Sequence, residues 1–91
     1  MYKYERILKH YGKDHQMLKV VEELAELSSA IMHYRDGRAS RQAVVEEMAD
    51  VAIMLTQLVM ILTVENDEME NIINRKLTSA VAWIAQREQE Q

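Results

Sequence analysis

The feature that most constrains the fold of this chain is an almost uninterrupted apolar segment at residues 51–62, broken only by Thr56 and Gln57. It extends the helical spacing of the residues before it, so we predict one helix over residues 41–63. The second half of this helix is apolar around nearly its whole circumference, and such a helix must be buried on all sides. A chain of 91 residues can hardly supply that cover by itself, so we expect a second subunit to help.

Apolar residues at helical spacing predict three further helices: a short one over residues 4–11, one over residues 15–34, and a fourth that follows residue 67. The chain has no proline and only two glycines, which argues against an all-β domain because such a domain needs many turns. We therefore predict a single all-α domain over residues 1–91, an antiparallel helical bundle completed by oligomerisation. Its polar tail, residues 86–91, is expected to fray.

Short polar or glycine-containing segments are expected to set the ends of these helices. Gly12 tolerates a left-handed backbone and is expected to end the first helix. Asp14 and Ser40 are expected to cap the second and third helices by accepting hydrogen bonds from their free N–H groups. Asp67, with Glu70 three residues further on, is typical of a capping box at the start of the fourth helix.

Composition excludes several classes of function. The chain has no cysteine, which excludes a disulfide framework and a thiolate metal site. Its net charge is −4 without a basic run, which argues against a nucleic-acid polymer as partner. Two glycines leave no room for a Gly-rich phosphate loop. The N-terminus is charged and no apolar segment approaches the ~20 residues that span a bilayer, so we expect a cytoplasmic protein with no membrane partner.

Two acidic motifs, ExxE and ExxD, stand out. Glu23 precedes Glu26, and Glu47 precedes Asp50, by three positions, which places each pair on one side of a helix. A turn around Gly37 makes the second and third helices antiparallel neighbours. Gly37 lies 14 residues after Glu23 and 13 residues before Asp50, so the two pairs sit at similar depth in the hairpin. We expect the four carboxylates to converge.

Four ionised carboxylates at one place repel each other and resist removal from water. A hard divalent cation relieves both costs, and Mg2+ suits such a site because it takes oxygen ligands and works with substrate phosphates. A di-iron carboxylate centre needs a histidine three residues after a glutamate, and no histidine of this sequence has that position. The alternative is that both pairs are ordinary solvated surface pairs, as a single ExxE motif on a helix usually is.

The two motifs and their spacing resemble a known family. EELAE at residues 22–26, a spacer of 20 residues and EMAD at residues 47–50 are similar to the EExxE–spacer–ExxD signature of the MazG-like all-α nucleoside triphosphate pyrophosphohydrolases. The resemblance covers residues 12–77 and implies an all-α fold that works as a homodimer or homotetramer. It implies hydrolysis of NTPs or dNTPs to the monophosphate and pyrophosphate in nucleotide-pool house-cleaning, with Mg2+ as cofactor or Mn2+ as its substitute. The implied metal-binding and catalytic residues are Glu23, Glu26, Glu47 and Asp50.

The same resemblance implies basic residues on the helix that follows ExxD, often a lysine and then an arginine one turn further on. Lys76 and Arg75 are therefore candidates for holding the substrate phosphates, although Ala80 stands where the second basic residue is expected. Lys19, one turn before the first acidic pair, is a further candidate for the phosphates. Gln16, on the same stretch, is a candidate for contact with the base.

Two other functions remain open. Phosphoribosyl-ATP pyrophosphohydrolase of histidine biosynthesis shares the acidic motifs and the small size. Its ExxD is typically followed by a segment rich in Leu, Tyr and His, whereas VAIM follows here at residues 51–54. The alternative of another class is a non-catalytic helical module that oligomerises or regulates a partner, and the missing basic residue at position 80 is compatible with it.

Overall fold

The computed structural model describes residues 2–90, so Met1 and Gln91, the last residue of the predicted polar tail, lie outside the described residues. Four helices follow one another: α1 Tyr2–Tyr11, α2 Lys13–Arg35, α3 Arg41–Ile61 and α4 Glu68–Gln89. There is no strand between residues 2 and 90, which confirms the all-α prediction. Helix α4 continues through most of the predicted polar tail. Within this described part, none of the helices is long and apolar enough to cross a membrane.

Two glycines and a serine set the predicted helix ends. Gly12 has φ +89°, and its N–H donates to the carbonyl of Leu8 at 2.8 Å where α1 ends. Gly37 has φ +75° in the turn between α2 and α3, a left-handed conformation that residues with a Cβ rarely adopt. The Oγ of Ser40 accepts from the N–H of Ala43 at 3.1 Å and caps α3. These three predictions are confirmed.

Two other predicted caps are wrong. Helix α2 begins at Lys13, so Asp14 lies inside its first turn and the capping position falls to Gly12, which has no side chain to offer. A single residue separates α1 from α2 and leaves no room for a separate end and start. Asp67 has helical backbone angles and makes no side-chain cap bond, whereas a capping residue is usually extended. The predicted capping box of Asp67 and Glu70 is therefore not formed.

The packed part of the molecule consists of the first three helices. Helices α2 and α3 lie side by side as an antiparallel hairpin, and α1 packs against both. The buried hydrophobic side chains of the described residues are Val20, Val51 and Met54. Full burial of such a side chain contributes about 1.5–3 kcal/mol, so three of them make a small core for a chain that must offset the entropy of ordering every residue.

A buried polar contact joins these three helices. Gln57 is completely buried and Gln16 is 2% exposed. The Nε2 of Gln16 donates to the Oε1 of Gln57 at 3.3 Å, and the Nε2 of Gln57 donates to the backbone carbonyl of Tyr4 at 2.9 Å. Gln57 therefore interrupts the apolar segment of α3 for a structural reason, because it hydrogen-bonds α2 and α1 from inside the interface.

Helix α4 makes no close backbone contact with the other helices in the described part of the chain, and all of its residues are exposed, although Met69 at its start lines a groove with residues of α3. The radius of gyration is 17.3 Å, whereas a compact chain of this length has about 12 Å. The accessible surface is 7566 Å², roughly 2,000 Å² more than the ~5,500 Å² expected for a compact monomer of this mass. Leu55 and Leu62 of α3 remain exposed, so α4 of the same chain does not supply the predicted cover.

We predict that Gln57→Leu destabilises the fold by about 1–3 kcal/mol, because it removes the hydrogen bond between α3 and the Tyr4 carbonyl of α1 and leaves the Nε2 of Gln16 buried without a partner. Adding Gln16→Leu removes that unpaired amide, so the double variant is expected to lose less stability than the two single variants together. Urea unfolding followed by circular dichroism measures these free energies. Gln42→Leu, at an exposed position of α3, is the control and should change stability by less than about 0.5 kcal/mol. Additive losses from the two glutamines would contradict the prediction.

Candidate metal centre

The antiparallel packing of α2 and α3 brings carboxylates of both helices together. One oxygen from each of Glu23, Glu47 and Asp50 lies within 4.8 Å of the other two. Glu23 also belongs to a group on α2 alone, in which oxygens of Glu22, Glu23 and Glu26 lie within the same distance of one another. The structure thus places three of the four expected ligands at one point and joins the fourth, Glu26, to them through Glu23. We call these five side chains the acidic cluster.

Two oxygens of the acidic cluster are buried without a partner. Glu23 is 7% exposed and Glu47 is half-buried. The Oε2 atoms of both side chains are closed to solvent and have no hydrogen-bond partner among the described residues. A buried polar group without a hydrogen-bond partner costs about 1–3 kcal/mol, and the cost is higher when the group is charged. Carboxylate oxygens are the ligands that a hard divalent cation prefers, so the donor set fits Mg2+ or Mn2+.

Lys19 supplies positive charge beside the cluster. Its Nζ lies 3.2 Å from the Oε1 of Glu23 and 3.2 Å from the Oε1 of Glu22. The hydrogen bond to Glu23, followed by that to Glu22, raises the pKa of Lys19 above its ordinary value. The lysine is therefore protonated at neutral pH. It occupies the Oε1 of Glu23 and leaves the Oε2 for another partner.

The pKa of Glu26 is raised by the other carboxylates of the cluster. The charge of Glu23 raises the pKa of Glu26 above its ordinary value, and the charge of Glu47 across the hairpin adds to this rise. Glu26 itself is exposed, so repulsion rather than burial is the main cause. The repulsion persists although Lys19 is nearby, which means that one lysine does not neutralise the cluster.

Glu22 is the member of the cluster that the expected ligand set leaves out. The ExxE spacing pairs Glu23 with Glu26 and passes over Glu22. However, Glu22 precedes Glu26 by four positions, and residues four apart on a helix are neighbours as well. That spacing is the signal in the sequence that places Glu22 beside the other two.

The candidate substrate-binding residues are not all near the cluster. Lys19 is in contact with it, as described above. Gln16 lies two turns before Glu23, and its amide is used inside the helix interface, where it bonds Gln57 and the Nδ1 of His15 at 2.7 Å. Arg75 and Lys76 are exposed on α4. Because α4 contacts none of the other described helices, one chain alone does not bring these two cations to the carboxylates.

Comparisons with protein-family models, with curated proteins and with solved structures give no match for this chain. The resemblance to the MazG-like enzymes therefore rests on the two acidic motifs and their spacing. The candidate metal centre rests on the contacts of its own side chains.

We predict that Glu23→Gln lowers the pKa of Glu26, because the substitution removes the charge that raises it most. With its pKa raised, Glu26 binds more protons in the folded than in the unfolded chain between the ordinary and the raised value. Its contribution to stability therefore falls as the pH rises through that interval. Carbon-13 NMR of the side-chain carboxyl groups measures the titration directly. Glu5→Gln on α1, an exposed position, should leave the Glu26 titration unchanged, and an equal effect of both substitutions would disprove the assignment.

Proposed function

We propose that this protein is a Mg2+-dependent nucleoside triphosphate pyrophosphohydrolase that acts as a homo-oligomer in the cytoplasm. The observation that supports it most is that Glu23 of α2 and Glu47 of α3, which belong to the same acidic cluster, each hold one oxygen buried without a partner. An acidic cluster on a solvated surface has no reason to hold such oxygens. The EELAE and EMAD motifs support the same function through their resemblance to the MazG-like enzymes.

In this proposal the carboxylates bind the metal and Lys19 binds the substrate. Glu23, Glu26, Glu47 and Asp50 hold the metal. When bound, Mg2+ supplies a lowered pKa of water and a charge that offsets the negative charge on phosphate oxygens. Lys19, which the glutamates keep protonated, offers N–H donors at the edge of the cluster to a phosphate of an NTP or dNTP. The product pair is then the nucleoside monophosphate and pyrophosphate.

The acidic cluster is negatively charged, so it can bind an anionic substrate only when a cation lies between the carboxylates and the substrate. The five carboxylates of the cluster outnumber the single lysine in contact with them. A bare triphosphate would be repelled, whereas a triphosphate that shares Mg2+ with the carboxylates would be attracted. The proposal therefore requires that metal and substrate bind together.

We predict that Mg2+ stabilises the chain and that Glu23→Gln abolishes this effect. At a free concentration ten times the dissociation constant, one bound ion adds about 1.4 kcal/mol to the free energy of unfolding. Without metal, Glu23→Gln should be at least as stable as the parent chain, because it removes repulsion from Glu26. Thermal unfolding with and without Mg2+ or Mn2+ measures both effects. If Glu5→Gln lost the metal response as well, or Glu23→Gln kept it, the centre would lie elsewhere.

We predict that the purified protein releases pyrophosphate from at least one NTP or dNTP in the presence of Mg2+, and that EDTA stops the reaction. Glu47→Gln should lower the rate by about 100-fold or more, the order seen when one preorganised electrostatic group is lost. Glu5→Gln is the matched control and should retain the rate. Phosphoribosyl-ATP belongs in the substrate panel, since turnover of that compound alone would select the runner-up enzyme. Metal binding without turnover of any triphosphate would favour the non-catalytic helical module.

A further inference from the structure

The hairpin carries a second apolar surface that no part of its own chain covers. On α3, the residues that directly follow the buried Val51 and Met54 belong to an exposed apolar stripe with alternating steps of three and four residues. On α2, the residues that directly follow the buried Val20 and Glu23 belong to a similar stripe. The main exposed members are Val21 and Leu24 of α2, and Met48, Leu55 and Leu62 of α3.

Both stripes point to the same side of the hairpin. A step of one residue turns the side chain by ~100° about the helix axis. Because α2 and α3 run antiparallel, a step of one residue rotates the side-chain direction clockwise on one helix and anticlockwise on the other, when both are viewed from the same end. The two rotations start from faces that point at each other, so they end on the same side of the hairpin. The stripes therefore form one two-helix surface, which we call the apolar floor. Near the end of α3 it deepens into an open groove of about 230 Å³, which Leu55, Val59 and Leu62 of α3 line together with Met69 at the start of α4.

Helix α1 packs on the other side of the hairpin. Its Tyr4 carbonyl bonds Gln57, and its Tyr11 ring stacks on His15 at 4.7 Å between centroids. Gln57 lies inside the interface and His15 directly precedes the buried Gln16, so neither residue belongs to the apolar floor. Apart from Met69 at the start of α4, which lines the groove, no described helix of the same chain covers the floor, since α4 makes no close backbone contact with the others.

Helix α4 carries an apolar stripe of its own. Ile73, Leu77, Ala80 and Ile84 follow one another by steps of four, three and four residues, which is the spacing of helices that pack side by side. All four are exposed. With 22 residues, α4 matches the 21 residues of α3 in length.

Two backbone hydrogen bonds close the end of α3 where the chain passes into the connection to α4. The N–H of Thr63 donates to the Met60 carbonyl at 3.2 Å, and that of Val64 donates to the Val59 carbonyl at 3.0 Å. Thr63 has φ +49°, a left-handed conformation that is rare for a β-branched residue. These bonds close the end of α3 and fix the direction in which the chain leaves it.

We propose that a second copy of this chain lays its α4 on the apolar floor, and that the two copies exchange α4 reciprocally. The exchange covers both unpartnered surfaces of both chains, whereas floor-to-floor packing would leave α4 bare. The excess surface is roughly 2,000 Å² per chain on the size scaling above, and about 4,000 Å² for a pair lies in the range of obligate homodimers. The inference specifies the homo-oligomer of the proposed function and rests on that part of it, but it requires neither metal nor turnover.

Cross-linking tests the exchange, and the absence of cysteine from the chain makes every introduced thiol unique. Chains with Ala52→Cys on the floor are mixed in denaturant with chains of different mass that carry Ala80→Cys in the α4 stripe. After refolding, a short flexible bismaleimide should join the two kinds of chain. Ala82→Cys is the matched control, since two residues turn the side chain by ~200° about the same helix, and it should cross-link several-fold less.

Three outcomes would overturn the exchange. The first is an equal yield from Ala80→Cys and Ala82→Cys. The second is a double variant, Ala52→Cys with Ala80→Cys, that cross-links within one chain at high dilution. The third is a monomeric mass by sedimentation at micromolar concentration. All three measurements are made without Mg2+ or nucleotide, so a failure of the proposed enzymatic activity leaves them readable.

Discussion

The antiparallel contact between α2 and α3 is the interaction on which the rest of the molecule depends, because it is the most extensive contact between helices in the described part of the chain. Its register is marked by the hydrogen bond between Gln16 and Gln57. Seven residues further along α2, and seven residues back along α3, Glu23 meets Asp50. A buried polar pair is a poor source of net stability but a strong source of specificity, since any shift of register would leave both amides unpaired.

The same register gives the hairpin two unlike sides. One position after each interface residue the side chains are apolar, and they form the apolar floor. One position before, they include Glu22, Glu26 and Asp50, which form the acidic cluster with the partly buried Glu23 and Glu47. This separation follows from antiparallel packing. The side chains one position after an interface residue point to the same side of the hairpin on both helices, and those one position before point to the other side. A single helix of this composition would show no such division, as its apolar residues surround most of its circumference.

Much of this could be predicted from the sequence, and the failures have physical causes. The four helices follow from apolar spacing, and the meeting of Glu23 with Asp50 follows from their nearly equal distances to Gly37 along the chain. The role of Gln57 was not predictable, because spacing shows that a polar residue interrupts an apolar segment but not which groups it bonds. Likewise, the pattern of α4 shows which face is apolar but not whether the same chain covers it. Asp14 failed as a cap because one glycine both ends α1 and starts α2.

The two sides of the hairpin differ in what they leave exposed or unpaired, and they fit different partners. The excess accessible surface is roughly 2,000 Å² per chain on the size scaling used above, and the exposed apolar side fits another polypeptide surface of that extent. On the acidic side the need is for a ligand to two buried oxygens, which a small cation meets. Because the two sides are opposite, a second copy on the floor does not cover the carboxylates. The proposed assembly and the proposed metal centre are therefore compatible: the proposed dimer would stabilise the hairpin whose register holds the carboxylates together, and it would leave the acidic side free for the proposed substrate.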